Sequence, residues 1–301
     1  MPLRLGTAEP GGTFYTQGEA IAELYNRGRA EYDRCVVLAS QASIDNANRL
    51  DQGELEFGFM ASNWIGRAKD GMRPFTRRIA LRMVAPANAG PIFFVTLARS
   101  SIKSVDDLRG KRVVLGIEGS GMVEHVRTIF SVLSIAFDDF TPVYQGYADA
   151  ADALITGDVD ALFQPPIPNR MMTKLSERAD LRVVPYSAGE IDKILTQVPY
   201  YRRVDIERGT LRGVSENVPQ IAVVNVLVTH ERVQEQPVHA LAKTVVTNLD
   251  LLPKMNPLFK GLKDLFEPLR TSGAAAFEFG AVPLHPGAQR AYRDSGYLQG
   301  R

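Results

Sequence analysis

The chain has 301 residues, 45% of them hydrophobic, with 35 basic and 34 acidic side chains and a net charge of +1. That length suffices for two domains with cores of their own, and the composition excludes large-scale disorder. The even charge balance, without a long basic block, argues against a nucleic-acid partner. The single cysteine, Cys35, excludes an intramolecular disulfide and a thiolate metal cluster.

Leu3 to Gly6 reads as a short strand, followed by the glycine-rich stretch Thr7-Ala8-Glu9-Pro10-Gly11-Gly12. Ala20, Ile21, Leu24 and Tyr25 then recur at helical spacing, with Gly28 as the stop. Val36 to Ala39 reads as a second strand. Ser43-Ile44-Asp45-Asn46 opens a second helix, with Ser43 in the N-cap role. Leu55 to Met60 reads as a third strand. The βαβαβ alternation implies a mostly parallel sheet covered by helices, an α/β fold.

The pattern then repeats. Lys111 to Gly116 reads as a strand, Glu118-Gly119-Ser120-Gly121 as a turn, and Val126, Ile129, Phe130 and Leu133 as a helix stripe. The segment from Ala151 to Phe163 echoes that from Ala47 to Phe59 without a gap. Each reads as a helix end, a glycine turn and a strand. Two similar α/β lobes are therefore expected, with a cleft at the strand ends, where open α/β sheets bind ligands. The apolar run Ile221 to Val228 suggests a return to the first lobe. The expected boundaries are 1–92 with 213–301 for lobe I and 93–212 for lobe II. No apolar run approaches the roughly 18 residues that cross a bilayer. The opening MPLRLGTAEP lacks the apolar core of a signal peptide, so either the protein is cytoplasmic or a leader has been removed.

Both glycine turns stand between a strand and a helix, where the first helical N–H groups can meet an anion. Neither has the spacing of a nucleotide phosphate loop or a dinucleotide fingerprint. A carboxylate site is the leading reading; the alternative is that the glycines serve tight turns only. The four histidines, His125, His230, His239 and His285, are too scattered for a metal cluster. His125 reads as solvated, and His285 as a structural turn residue. No nucleophile elbow or metalloprotease motif is present. Cys35 reads as core. Phe14, Tyr15, Trp64 and Phe163 all fall at expected strand ends, either as cleft walls or as core.

Taken together, these residues resemble the solute receptors of TAXI-type TRAP transporters, which are periplasmic substrate-binding proteins. The resemblance runs from Gly6 to Gly296. It is carried by Gly11-Gly12-Thr13-Phe14-Tyr15, by Ser43-Ile44-Asp45-Asn46 ahead of Gly53-Glu54, and by the stretch from Ile102 to Val113. Gly119-Ser120-Gly121, Gly157-Asp158-Val159-Asp160-Ala161 and Leu284-His285-Pro286-Gly287-Ala288 carry the rest. It implies a two-lobed periplasmic-binding-protein fold of type II, with the ligand in a cleft between the lobes and a membrane permease as partner. It also implies a monomeric receptor with no catalytic residue, cofactor or metal, and a periplasmic location. The contacts it implies are Gly12, Thr13, Phe14 and Tyr15; Ser43; Asn63 and Trp64; Ser120, Gly121 and Met122; and Phe163, Gln164 and Pro165.

The chain departs from the family's usual pattern at three places. Met122 stands where threonine is common, Asn63 where aspartate is common, and Pro165-Pro166-Ile167-Pro168 where a Gly-x-Pro loop is common. The ligand is therefore expected to be an organic carboxylate other than glutamate, without an amine, with Trp64, Met122 and Phe163 making room for an apolar or aromatic acid. The alternative is a cytoplasmic enzyme or ligand sensor on the same fold.

Overall fold

The computed structural model describes residues 2–116, 118, 121–198 and 200–299, with Tyr147, Ala148 and Arg170 described in their backbone only. The chain divides into two compact units: Met1–Ala89 with Val224–Arg301, and Gly90–Val223.

The first unit opens with β1 (Leu3–Gly6), α1 (Thr13–Asn26), β2 (Cys35–Leu38), α2 (Ser43–Gln52), β3 (Phe57–Ala61) and a short α3 (Ile65–Asp70). β2, β1 and β3 pair in parallel in that order. The long strand β4 (Leu81–Leu97) then carries the chain into the second unit.

That unit contains β5 (Arg112–Gly116), α4 (Gly121–Leu133), β6 (Thr141–Tyr144), α5 (Tyr147–Thr156), β7 (Ala161–Gln164) and α6 (Arg170–Arg178). β8 (Leu181–Val183), α7 (Ala188–Gln197) and β9 (Tyr201–Ile206) follow. β6, β5 and β7 pair in parallel, and the end of β4 lies antiparallel to β7 and β8. The long strand β10 (Val218–His230) pairs with β9 and then returns to the first unit, where it lies antiparallel to β3. The first unit closes with α8 (Glu235–Thr247), the short α9 (Leu252–Met255), α10 (Leu262–Phe266) and α11 (Pro268–Ser272), and finally α12 (Pro286–Asp294).

The two units share a plan. In each, the first strand lies between the second and the third, and a long strand runs antiparallel to the third: β2-β1-β3-β10 and β6-β5-β7-β4. The sequence echo is built alike in both. α2 ends at Gly53 and α5 at Gly157, both left-handed (φ 78° and 85°), a conformation that costs a residue with a Cβ.

An arginine locks each of these turns. Arg4 donates from Nε (3.1 Å) and Nη2 (2.6 Å) to Glu56, and also from Nη2 to the Gly53 carbonyl (2.8 Å). Arg112 does the same to Asp160 (3.1 and 2.9 Å) and the Gly157 carbonyl (2.6 Å). A fork of five donors in fixed geometry suits a carboxylate and a carbonyl at once.

Two helix ends differ from the sequence expectation. Ser43 is the first helical residue rather than the N-cap. The cap position is Ala42, at φ 63° and ψ −144°, with no side-chain cap. The first helix stops at Asn26, two residues before the positive-φ turn at Gly28.

Candidate functional site

In the first unit, β1 leads into the loop before α1. Thr7, fully buried, holds that loop: its hydroxyl donates to the Leu38 carbonyl (2.8 Å). Its own carbonyl accepts from Ser40 Oγ (2.9 Å) and Asn46 Nδ2 (2.8 Å). The backbone must come close here, because a Cβ on Gly6 would lie 2.4 Å from Asn46 Oδ1. Gly12 then occupies the N-cap of α1 without a side-chain cap, leaving the first N–H groups of a 14-residue helix open to an outside acceptor.

Around this helix start the expected contacts divide into two kinds. Thr13 and Tyr15 are half-buried. Phe14 is buried and stacked on Phe59 at 5.3 Å. Ser43 is buried, and its hydroxyl accepts from the Ala61 N–H (3.0 Å), tying α2 to the end of β3. Asn63 lies in the short turn after β3, its Oδ1 buried and without a partner. Trp64 is buried edge-on against Phe75, with the Arg67 guanidinium 5.5 Å over its ring.

One element of this region escapes sequence inspection. Gln17, fully buried in α1, donates to Asn88 Oδ1 (3.3 Å), which also accepts from Asn225 Nδ2 (3.1 Å). Gln17 Oε1 is left without a partner. A buried amide lacking its hydrogen bond costs on the order of 1–3 kcal/mol, so such a group in a native fold points to water or a ligand. The available signal was a single asparagine interrupting each of two apolar runs, at 88 and at 225.

In the second unit, Gly121 and Met122 open α4, both half-buried. Ser120 lies outside the described residues. Phe163 is fully buried, 4.7 Å from Phe94, which in turn stacks on Phe130. Gln164, the last residue of β7, is also fully buried, and neither of its amide atoms has a partner. Pro165 is half-buried in the loop that follows, where Asn169 caps α6 by accepting from the Met172 N–H (2.8 Å).

His125, expected to be solvated, is buried, with Nδ1 2.7 Å from the Tyr201 hydroxyl. It sits on the inner side of the α4 stripe with Val126 and Ile129, so the helix period turns it inward. Burial pushes its pKa down to about 3. The unfolded chain takes up this proton near pH 6.5, whereas the folded chain refuses it until about pH 3. Its contribution to stability is therefore complete above about pH 6.5 and is lost as the pH falls. Between pH 7 and 4.5 the wild type should lose on the order of 2 kcal/mol more than H125Q in urea unfolding. Equal losses would refute a neutral buried histidine.

The other histidines are engaged away from these residues. His239 bonds Asp294 (2.8 Å), His230 faces Asp51 (3.6 Å), and His285 caps α12 through Gly287 N–H (3.1 Å). Cys35 is buried, and desolvation raises its thiol to about 12, far from a thiolate nucleophile. Among the described residues no group of three or more His, Cys, Asp or Glu could hold a metal ion. No helix among them is long and apolar enough to cross a membrane. The chemistry on offer is hydrogen bonding by helix starts, hydroxyls and amides.

The NMT1-like family matches residues 5–296. The chain belongs to the NMT1-like family. Solved structures add the fold. A putative periplasmic sulfonate-binding protein from Methylobacillus flagellatus is 13% identical, with a TM-score of 0.55 over 100% of this chain and 89% of that one. A probable amino-acid transporter binding protein from Bacillus subtilis is 15% identical, with a TM-score of 0.54 over 87% of this chain and 97% of its own. MatC from Rhodopseudomonas palustris, with bound malate, is 14% identical, with a TM-score of 0.54 over 86% and 88%. The fold of this NMT1-like protein is the type II periplasmic-binding-protein fold.

Proposed function

We propose that this NMT1-like protein is an extracytoplasmic solute receptor of the TAXI type, which binds a small organic carboxylate and delivers it to a membrane permease of the TRAP class. The observation that carries this reading is the pairing of uncapped helix starts with buried amide atoms that have no partner. α1 and α5 both begin at a glycine without a side-chain cap, and Gln17, Asn63 and Gln164 hold buried polar atoms without hydrogen bonds. The uncapped helix starts and Gln164 Nε2 donate and suit an oxyanion, the oxygens of Gln17, Asn63 and Gln164 accept from a donor group or water, and the set contains no nucleophile–base pair. Membership of the NMT1-like family supports a binding role, and a similar fold that holds malate supports a small carboxylate.

In this reading Gly12, Thr13, Tyr15, Ser43 and Asn63 contribute from the first unit. Considered by itself, the second unit offers Gly121, Met122, Gln164 and Pro165 as candidate contacts. Phe14, Trp64 and Phe163 back the contacting residues from the core rather than walling the ligand. The receptor is a monomer in the periplasm and carries out no reaction.

A thermal-shift screen of carboxylates, sulfonates and free amino acids tests the proposal. At a ligand concentration of about 100 times Kd, specific binding adds about 2.7 kcal/mol of stability, a shift of several degrees. The largest shift is expected from a carboxylate without an amine. Stabilisation by sulfonates or amino acids only, or by no compound, would overturn the reading.

A further inference from the structure

The carboxyl edge of the second unit's parallel sheet carries a pair of unsatisfied amides. In β7, Leu162 packs in one core cluster with Ala150, Ala151 and Leu154 of α5. Side chains two residues apart on a strand share a face, so Gln164 lies on the α5 side, one step nearer the strand's end. Its neighbour Phe93, paired with it across β4, packs into the same cluster.

The register brings a second amide to the next residue beyond this level, just past the end of β6. Val114 pairs with Leu162 on one side and Val143 on the other, and Gly116 with Tyr144. Val143 packs against the α5 cluster, and Gln145 stands two residues beyond it. β5 lies between β7 and β6, and at this level it offers Gly116, which has no side chain to fill the gap. Two strand spacings, about 10 Å, separate the flanking strands.

α5 starts immediately above this edge. It is 10 residues long, begins two residues after Gln145, and is preceded by Gly146 without a side-chain cap. Asp149, the acid of its first turn, is exposed. Three observations therefore coincide. There is an open helix start, a fully buried Gln164 with both amide atoms unpartnered, and a buried Gln145 Nε2 that is also unpartnered.

We infer that this edge selects a hydroxycarboxylate. The inference rests on the carboxylate-receptor reading and names the ligand class within it. The helix N–H groups and the two Nε2 amides all donate, which suits a carboxylate. Gln164 Oε1 can only accept, and an ionised carboxylate has no hydrogen to give it. The ligand must bring a donor beside its carboxylate. A neutral amide oxygen matches a hydroxyl; a buried ammonium would demand a carboxylate partner.

Isothermal titration of the full chain with matched acids tests this: malate against succinate, lactate against propionate, and malate against aspartate. The hydroxy acid of each pair is expected to bind about tenfold or more tightly. Q164M, which keeps the side chain's length and removes its amide, is expected to abolish the preference, weakening the hydroxy acid more than the deoxy acid, which loses only the Nε2 donor. Should Q164M fail to fold, the wild-type preferences still decide, and Q145L is expected to weaken both members of each pair alike. Equal wild-type binding of hydroxy and deoxy acids, or a preference for aspartate, would overturn the hydroxyl assignment and leave the carboxylate receptor standing. Binding of no carboxylate at all would overturn both.

Discussion

Phe163→Ala is expected to lower the unfolding free energy by about 4 kcal/mol, read from urea unfolding monitored by circular dichroism. The ring is fully buried, 4.7 Å from Phe94 at an interplanar angle of 47°. Phe94 stacks on Phe130 at 5.4 Å, and Phe130 meets Phe140 edge-on at 5.1 Å. Phe94 and Phe163 are also direct partners across the β4–β7 ladder, so truncation opens a cavity between a strand pair and α4. Neighbouring rings fixed by their own strand and helix cannot all move in to fill it. A loss below about 1 kcal/mol would mean that the site collapses or that the ring is replaceable by solvent or ligand. The result separates two roles for one aromatic, because a residue that only walls a binding site can be truncated at little cost to the fold.

Gly287→Ala is expected to cost about 3 kcal/mol, the range in which forced overpacking falls. Helix propensity alone predicts the opposite sign, since alanine is favoured over glycine in a helix by about 1 kcal/mol. Packing decides. α12 crosses α8 so closely that a Cβ on Gly287 would lie 2.4 Å from the Glu235 carbonyl oxygen and 2.9 Å from the His239 nitrogen. Both are backbone atoms, so no side chain can swing aside. The contact joins the turn at His285, which caps α12 through its Nδ1 and bonds the Val233 carbonyl through Nε2 (2.9 Å). Gly189→Ala is the control. It lies inside α7 with nothing within 4 Å of the added carbon, and should stabilise by up to about 1 kcal/mol. If both substitutions stabilise, the close crossing of α8 and α12 is wrong.

The binding reading also depends on which signals are local. The helix starts at Thr13 and Gly121 follow glycine-rich turns that any reader of the sequence can find. The amides that make these regions chemically distinctive are different. Gln17 meets Asn88 across 71 positions and Asn225 meets Asn88 across 137, so no motif announces them. Gln164 stood among the expected contacts because of its place after Phe163. Its complete burial without a partner is what gives it a chemical role.

By itself the sequence determined the alternation of short strands and amphipathic helices, and the repeated helix end, glycine turn and strand at 47–59 and 151–163. These are properties of neighbouring residues: the spacing of apolar side chains and glycine's access to the left-handed region at Gly53 and Gly157. Tertiary structure decided which aromatics pack and which polar groups are satisfied. Phe14 is claimed by Phe59, and Phe163 by Phe94. Arg4 finds Glu56 and Arg112 finds Asp160, 52 and 48 residues away, so that each turn is locked by the same arginine fork. Contacts of this kind depend on register and crossing geometry. A chain's periodicity sets which face a side chain occupies, and only the packed neighbours set whether that face meets a ring, a carboxylate or an unfilled space.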